Sequence, residues 1–386
     1  MKRIFVAAWS YPPKMSGESV VCKRTLENSK LYYDVCSCMQ KVEDTDTDKV
    51  RVFPVHGRYI KWPFNVVKQF LKLDKTEHYN IIMTRVMPPN GHFAGILIKL
   101  LRPHVKWVVY FSDPIWNSPF ISFFSLFRKN LQQQPNYLLM KVFGCAAWLG
   151  TRFGDLLVFN NDRLARYVLG EKYNFLKDKI VIAPYGHEGV KLQERNLKQP
   201  GEKVVIAHVG QIYGARSFTK VVEALEMLKQ VYPEQYNSLE LVQVGFICSS
   251  EKDAIAGSKV ANSFRFVEEV DYEQSLEYMR TADFALILDP YFPEKSKNMY
   301  VPVKIYDYMS VGAEIIAIAD DDSATSDIAK ELGCATAGHD TKEIANMLFS
   351  CVSNTTGKHI DSDERFHCRK GVEILDSCLE RLSINN

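Results

Sequence analysis

The 386-residue sequence contains no apolar run that approaches the ~20 residues a helix needs to cross a bilayer, no low-complexity tract and no repeat of fixed period. These absences argue against a membrane-spanning protein, a solenoid and a disordered chain. The first apolar run, residues 4–9, is too short for a signal peptide, and we expect it to form a buried strand. With 46% hydrophobic and 24% charged residues, the chain has the length of two average α/β domains.

Metal and cofactor motifs are also scarce. The nine cysteines are scattered, and their close pair, Cys36 and Cys38, has neither zinc-site nor thioredoxin spacing, so reduced thiols and a cytoplasmic protein are expected. The spaced glycines of a dinucleotide fingerprint are missing. We find no Asp-x-Asp pair placed to hold a divalent metal on a diphosphate, and we expect the acidic run 320–322 to be a solvated loop. The sequence therefore predicts chemistry without a bound metal or cofactor.

Charge is divided unevenly along the chain, although the net charge is only +2. Residues 1–190 hold 27 Lys and Arg against 15 Asp and Glu, which gives +12. Residues 191–386 hold 21 against 31, which gives −10. A basic half suits an anionic surface or an anionic acceptor. Attraction between the two halves explains the division equally well, so both interpretations stay open.

Short apolar runs alternate with helical patterns along the whole chain, which is typical of parallel strands joined by helical crossovers. The strand candidates are residues 4–8, 80–84, 107–111, 156–159 and 180–183, and then 204–209, 239–244, 264–267, 284–288 and 315–319. The polar stretch 191–203 separates the two series and indicates a linker. We predict two Rossmann-like, doubly wound α/β domains facing each other across a cleft, residues 1–190 and 203–360. We expect residues 361–386 to form a terminal helix that packs on one domain or the other.

Two strand-to-helix turns have the features of an anion site. The first strand leads into a loop with Gly17, and strand 204–209 leads into Gly210 and then Arg216. Glycine lets the backbone come close to a ligand, a helix start offers unpaired N–H groups, and an arginine can hold a diphosphate through two hydrogen bonds. Plain turns and a solvated arginine are the alternatives.

The segment 302–317 reads Pro-Val-Lys-Ile-Tyr-Asp-Tyr-Met-Ser-Val-Gly-Ala-Glu-Ile-Ile-Ala. Its Lys304 and Asp307 are three residues apart, so on a helix they share one face. An aspartate can accept two ribose hydroxyls, and a nearby lysine can meet phosphate. Gly312 then turns the chain into a buried strand. The alternative is a surface ion pair of little energetic value.

This segment resembles the donor-site signature of GT-B fold glycosyltransferases, close to family 4. Many members read Pro-x-Lys-x-x-Glu-Tyr-Met-Ala-x-Gly-x-Pro-Ile-Ile-Ala at this place. The resemblance implies that Asp307 stands at the position of the ribose-binding glutamate. It also implies that Val303 and Lys304 approach the diphosphate of a nucleotide-sugar donor.

The resemblance extends over nearly the whole chain, because the order of the elements also agrees. The turn from Gly210 to Arg216 is similar to the family's glycine-rich phosphate turn, and Gly17 matches the N-terminal loop that closes over the donor. Two positions depart from the family pattern. Met299 stands where a first glutamate is usual, and Gln211 stands where a cation is usual.

The acceptor side of the predicted site falls in the first half of the chain. Asp113 follows strand 107–111, at a position where similar proteins often carry His or Asp beside the reacting sugar. It is our catalytic candidate, able to orient an acceptor hydroxyl or to stabilise positive charge on the sugar. Arg85 and His92 follow another strand and are candidate acceptor contacts. A capping Asp and a structural His are the alternatives.

A membrane face is predicted in the same basic half. Residues 120–127 are rich in Phe and are followed by Arg128 and Lys129, a run too short to span a bilayer but long enough to lie in its interface. Further cations that could meet anionic lipid are Lys61, Lys68, Lys72, Lys99 and Arg102. Packing of the aromatic rings in the core is the alternative.

Together these observations predict a metal-independent glycosyltransferase of the hexosyltransferase type, which the resemblance implies is retaining. It would move a sugar from a nucleoside diphosphate sugar to a hydroxyl of a glycan acceptor, which the resemblance implies is lipid-linked, in polysaccharide or glycoconjugate synthesis. We expect a peripheral location at the inner face of a membrane and no nucleic-acid partner. The alternatives are a non-hydrolysing nucleotide-sugar epimerase, which shares the architecture, and a non-catalytic nucleotide-sugar-binding protein.

Overall fold

A computed structural model describes residues 3–13, 16–38, 46–58, 60–86, 90–114, 134–189, 202–292, 298–353 and 364–384. The chain divides into two compact units. The first comprises residues 1–188 together with 365–386, and the second comprises residues 189–364. Each unit is built around its own parallel sheet.

The first unit contains a seven-stranded parallel sheet in the order β3-β2-β1-β4-β5-β6-β7. Its strands are β1 (Ile4–Ala7), β2 (Tyr33–Ser37), β3 (Val50–Pro54), β4 (Ile81–Arg85), β5 (Lys106–Phe111), β6 (Leu156–Phe159) and β7 (Ile180–Ile182). Its helices are α1 (Gly17–Glu27), α2 (Lys61–Glu77), α3 (Asn90–Leu101), α4 (Gln134–Phe153), α5 (Asp162–Leu169) and α13 (Cys368–Ile384). Short 3₁₀ turns lie at Gly170–Lys172, Asn174–Lys179 and Glu364–Phe366.

The strands of this sheet are buried on both faces, as parallel strands covered by crossover helices must be. All residues of β1, β2 and β4 are buried, and the aromatic side chains of Phe5, Phe70 and Tyr79 pack together beneath α2. The terminal helix α13 belongs to this unit. Its Asp376 accepts hydrogen bonds from Ser29 Oγ (2.6 Å) and Lys30 N (2.8 Å), so the helix closes the unit against the segment after α1.

The second unit contains a six-stranded parallel sheet in the order β10-β9-β8-β11-β12-β13. Its strands are β8 (Val204–Val209), β9 (Leu239–Val244), β10 (Phe264–Val267), β11 (Phe284–Leu288), β12 (Ile315–Ile318) and β13 (Ala335–Ala337). Its helices are α6 (Thr219–Val231), α7 (Pro233–Asn237), α8 (Ser249–Ala256), α9 (Tyr272–Thr281), α10 (Lys304–Ser310), α11 (Ala324–Glu331) and α12 (Thr341–Ser353), with a 3₁₀ turn at Ala261–Ser263.

The strand order of each sheet reverses once, which is the point where ligands bind in doubly wound folds. The reversal lies between β1 and β4 in the first sheet and between β8 and β11 in the second. At the carboxyl ends of these strands the chain continues into the segments that hold Arg85, Gly210 and Asp289. The prediction of two doubly wound parallel domains is confirmed.

Candidate functional site

In the second unit, the turn after β8 is shaped around a lysine. Gly210 has a φ of +135°, a region that other residues rarely adopt. A Cβ atom placed on Gly210 would lie 1.5 Å from the Nζ of Lys304 and 2.2 Å from its Cε. Lys304 is the first residue of α10, so its ammonium reaches back over the turn at the end of β8. Only glycine at position 210 leaves room for this arrangement.

Two polar side chains inside the sheet hold the turn in place. Gln243 of β9 donates from Nε2 to the carbonyl oxygen of Gly210 (2.6 Å), and its Oε1 lies 2.6 Å from the Nδ1 of His208 in β8. Since Oε1 can only accept, Nδ1 carries the proton in this contact. Burial, with the charges of Lys304 and Arg216, holds the pKa of His208 well below its ordinary value. His208 is therefore a neutral donor that orients Gln243.

A second cation lies close to Lys304. Arg216 follows the turn and donates from Nε to the carbonyl oxygen of Leu288 at the end of β11 (2.8 Å). Burial and the neighbouring Arg216 lower the pKa of Lys304 to about 7, against the opposing charge of Asp307. Two neighbouring positive charges at a strand end repel each other, and an anion bound between them offsets this repulsion. The structure thus brings the predicted donor residues Gly210, Arg216 and Lys304 together around a spot suited to phosphate.

Helix α10 fixes two further predicted donor residues, Val303 and Asp307. Val303 immediately precedes the helix and is half-buried, while Asp307 lies one turn along and is buried. The Tyr272 hydroxyl donates to Asp307 Oδ1 (3.1 Å). Tyr308 ties the helix to the sheet, because its hydroxyl accepts from Val209 N (3.2 Å) and donates to Leu286 O (3.1 Å). Asp307 therefore keeps a fixed position one helical turn from Lys304.

Two aspartates lie at the ends of the next strands. Burial raises the pKa of Asp289 to about 7, even though Thr325 Oγ1 donates to its Oδ1 (2.9 Å) and Arg216 is near. Asp320, whose charge adds to this effect, is 7% exposed and accepts from Asn298 Nδ2 (2.7 Å). The prediction that residues 320–322 form a solvated loop is therefore wrong for Asp320, which a buried amide partner holds at the strand end.

Clustered metal-ligating side chains are not found in the described ranges. No group of three or more His, Cys, Asp or Glu residues within them could hold a metal ion. The sequence also contains Asp44, Asp46 and Asp48 at alternate positions, an Asp-x-Asp pattern in the first half of the chain. Asp44 lies outside the described residues, and Asp46 Oδ1 accepts from Val52 N (2.8 Å) in the first unit.

In the first unit, Arg85 ends β4 and is almost fully buried. Its Nε donates to Glu18 Oε1 (2.6 Å), and its guanidinium lies over the ring of Tyr110, 4.0 Å from the centroid. Gly17, just before Glu18, is exposed at the start of α1, which Ser16 caps through the backbone N–H of Ser19. The Nη1 and Nη2 atoms of Arg85 have no hydrogen-bond partner in the part of the chain that the structure describes.

Asp113 lies two residues beyond β5, at the same edge of the sheet as Arg85. Burial of its carboxyl and the charge of Glu18 raise its pKa to about 7. A carboxyl group that titrates near neutral pH can both accept and return a proton under working conditions. Such a group suits the orientation of an acceptor hydroxyl, which is one of the two roles predicted for Asp113.

His92 has a different environment from the one its predicted acceptor role requires. It is fully buried, and its Nδ1 lies 2.8 Å from Thr84 Oγ1. The same hydroxyl oxygen accepts a hydrogen bond from Trp107 Nε1 (2.9 Å). Burial lowers the pKa of His92 to about 3, so the ring stays neutral. A side chain without exposed surface lacks direct access to an acceptor. Its placement thus argues for a role in core packing beneath α3.

The aromatic run 120–127 and the adjoining Arg128 and Lys129, predicted to form a membrane face, lie outside the described residues. Within the described ranges, none of the helices combines the length and the apolar character needed to cross a bilayer. The two positions that depart from the family pattern, Met299 and Gln211, lie within the described residues. Met299 is buried, and Gln211 is exposed beside the phosphate turn.

No protein-family model matches the sequence, and no curated protein matches it. Solved structures match over nearly the whole length. WaaG, a glycosyltransferase involved in lipopolysaccharide biosynthesis, is 12% identical with a TM-score of 0.62, over 97% of this chain and 95% of its own. HepE of Anabaena in complex with UDP-glucose is 14% identical with a TM-score of 0.63, over 99% of this chain and 100% of its own.

An α,α-trehalose-phosphate synthase (UDP-forming) from Burkholderia xenovorans, in complex with glucose-6-phosphate, is 11% identical with a TM-score of 0.65, over 99% of this chain and 100% of its own. A Listeria monocytogenes protein described as a UDP-N-acetylglucosamine 2-epimerase also matches, with 10% identity and a TM-score of 0.54 over 98% of this chain and 96% of its own. At such low identity these similarities establish the fold. The chain therefore has the GT-B fold, which glycosyltransferases and an epimerase share.

Proposed function

We propose that this protein transfers a sugar from a nucleoside diphosphate sugar to a hydroxyl group of a glycan acceptor. The observation that carries the proposal is the group formed by Gly210, Arg216, Lys304 and Asp307 at the strand reversal of the second sheet. Two cations suit the diphosphate, and a carboxylate one helical turn away suits the ribose hydroxyls. UDP-glucose is the first donor to test, because HepE was solved with it.

The reaction breaks the bond between the anomeric carbon and the leaving diphosphate, so negative charge develops on the diphosphate oxygen. Lys304 and Arg216 would stabilise this charge, which is the contribution that a divalent metal makes in other transferases. This supports metal-independent transfer. The retaining outcome rests on the resemblance of the segment 302–317 to family 4.

On the acceptor side, Asp113 would orient the attacking hydroxyl and take up its proton. Its raised pKa suits this task near pH 7. Arg85, predicted as an acceptor contact, is 2% exposed and paired with Glu18, so, like His92, it is not proposed to touch the acceptor. The lipid-linked acceptor, the role in polysaccharide synthesis and the cytoplasmic, membrane-peripheral location are also part of the proposal. They are supported by the charge of +12 in residues 1–190 and by the biosynthetic role of WaaG.

Two alternative functions, an epimerase and a non-catalytic binding protein, each have an observation in their favour. An epimerase shares this fold, as the Listeria structure illustrates. A binding protein without catalysis is kept in view by the buried Met299, which stands where the family pattern has a carboxylate.

The test is to incubate the protein with UDP-glucose and other nucleotide sugars, with and without soluble and lipid-linked glycan acceptors, and to measure nucleotide release. We expect release that depends on an acceptor, persists in EDTA and is lost in Asp113→Asn, with Asp253→Asn, an exposed residue on α8, as the control. Isomerised nucleotide sugar without an acceptor would identify an epimerase instead. Binding without turnover for any donor and acceptor would identify a binding protein. The anomeric configuration of the product, read by NMR, decides between retention and inversion.

A further inference from the structure

Helix α2 presents one continuous face to solvent. Six residues of the helix are exposed, and five of them are spaced three or four apart so that they form a single stripe: Lys61, Phe64, Lys68, Lys72 and Lys75. The opposite side of the helix packs on the sheet through Trp62, Pro63, Val66, Val67 and Phe70. Arg58 and Ile60, just before the helix, are exposed as well. We call these seven exposed residues the α2 face.

The cations of the α2 face lack acidic partners. Across the described part of the chain, none of the four lysines or Arg58 forms an ion pair or a side-chain hydrogen bond, and residues 49–73 contain no Asp or Glu. Some exposed cations on other helices do have acidic partners, as Arg166 has Asp162 and Lys220 has Glu223. Lys68 and Lys72 stand four residues apart, a spacing at which like charges destabilise a helix.

Apolar surface lies beside this charge. Ile60 is 58% exposed and Phe64 is 46% exposed, and they are four residues apart at the start of the helix. The Phe64 ring packs edge-on against Phe93 of α3, with 5.7 Å between the ring centroids, so one edge is held while the rest faces solvent. Apolar side chains next to unpaired lysines on one helical face suit the boundary between lipid headgroups and acyl chains.

We propose that the α2 face docks on an anionic lipid bilayer. Its uncompensated cations are complementary to anionic headgroups, and Ile60 and Phe64 enter the headgroup region, where they leave water. A soluble polyanion such as a nucleic acid would neutralise the lysines but would leave the two apolar side chains in water, so a bilayer fits the whole face. This inference deepens the proposed function by naming the surface that meets the membrane.

The experiment measures binding of the full chain to vesicles of phosphatidylcholine, with and without phosphatidylglycerol, at low and high salt. The wild type should bind only vesicles with the anionic lipid and should dissociate as salt rises. In the triple variant Lys61→Gln, Lys68→Gln and Lys72→Gln, binding should weaken about fivefold for each lysine and so about a hundredfold in all. Phe64→Ser should weaken binding without changing its salt dependence.

A matched control removes the same charge from exposed lysines of the second unit, with Lys252→Gln, Lys259→Gln and Lys342→Gln. It should bind vesicles nearly as the wild type does, and circular dichroism should show both triple variants folded. Wild-type binding by the α2 triple variant, equal loss in the two triple variants, or failure of the wild type to bind anionic vesicles would each overturn the proposal. The proposal would also be overturned if the protein bound a soluble polyanion tightly but did not bind vesicles, and if Phe64→Ser left the binding to the polyanion unchanged. Because no donor or acceptor is present, this outcome is independent of sugar transfer.

Discussion

Replacing Gly210 by alanine tests whether Lys304 is the phosphate contact of the donor site. The added Cβ would lie 1.5 Å from Lys304 Nζ, so the ammonium must leave its place over the turn. A hydrogen bond to a charged partner contributes about 1.5–3 kcal/mol, so affinity for a nucleoside diphosphate should fall by roughly 10- to 150-fold. Affinity for the nucleoside alone should change little, because Asp307 is untouched. Titration calorimetry with UDP and with uridine measures both.

The control for this variant is Gly333→Ala. Gly333 also has a positive φ, +70°, but a Cβ there would meet nothing within 4 Å. Both changes strain the backbone by about 1–3 kcal/mol, so both should lower the melting temperature, and only Gly210→Ala should lose the diphosphate. Lys304→Met should lose the diphosphate without the loss of stability. If Gly210→Ala binds UDP as tightly as Gly333→Ala does, Lys304 is not a phosphate ligand and the reasoning fails.

Three further predictions concern the same two sites. Asp307→Ala should weaken the binding of uridine and of UDP alike, by about 1–3 kcal/mol in calorimetry, and Tyr272→Phe should weaken it by less. Unchanged affinity in Asp307→Ala would show that Asp307 does not contact the ribose. Asp113→Asn should lower turnover while leaving donor affinity intact. The wild-type rate should fall below pH 7 as the carboxyl group of Asp113, with its pKa of about 7, takes up a proton. A rate that does not change from pH 5 to 8 would mean that Asp113 only caps the segment after β5. Because the pKa of Lys304 is lowered to about 7, UDP binding at pH 8 should take up a proton, and the affinity for UDP should fall as pH rises above 7. Calorimetry in buffers of different ionisation enthalpy detects both effects. Neither effect should occur in Lys304→Met.

The strands of the second unit could be predicted well because they are nearly all apolar. The runs 204–209, 239–244, 264–267 and 284–288 have the same bounds in the structure. Strands β2, β3 and the short β13 were missed. In β2, the fully buried Asp34 interrupts the apolar pattern, and it is tolerated because Arg3 Nε (2.6 Å) and Arg51 Nε (2.7 Å) donate to it. Pairing of this kind cannot be read from either segment alone.

The candidate donor site was predictable where its residues are close in sequence or belong to one motif. Lys304 and Asp307 share a helix, and glycine at a strand end indicated the turn at 210. His208 and Gln243 were missed, although polar residues in two apolar strands were a usable signal. They meet because β8 and β9 pair in a register that sets residue 208 opposite residue 243, and register is a property of the folded sheet. The buried Asp320 depends in the same way on Asn298.

The hydrogen bond from Gln243 to the Gly210 carbonyl has a consequence for evolution and for engineering. The turn takes its shape from the sheet beneath it, so a ligand finds the backbone already arranged, and the entropy of ordering this loop is lost during folding and not on binding. We therefore expect positions 208 and 243 to vary together among related sequences. A variant that makes either one apolar leaves a buried amide or carbonyl unpaired, so the turn would become mobile even though no residue facing the donor has changed.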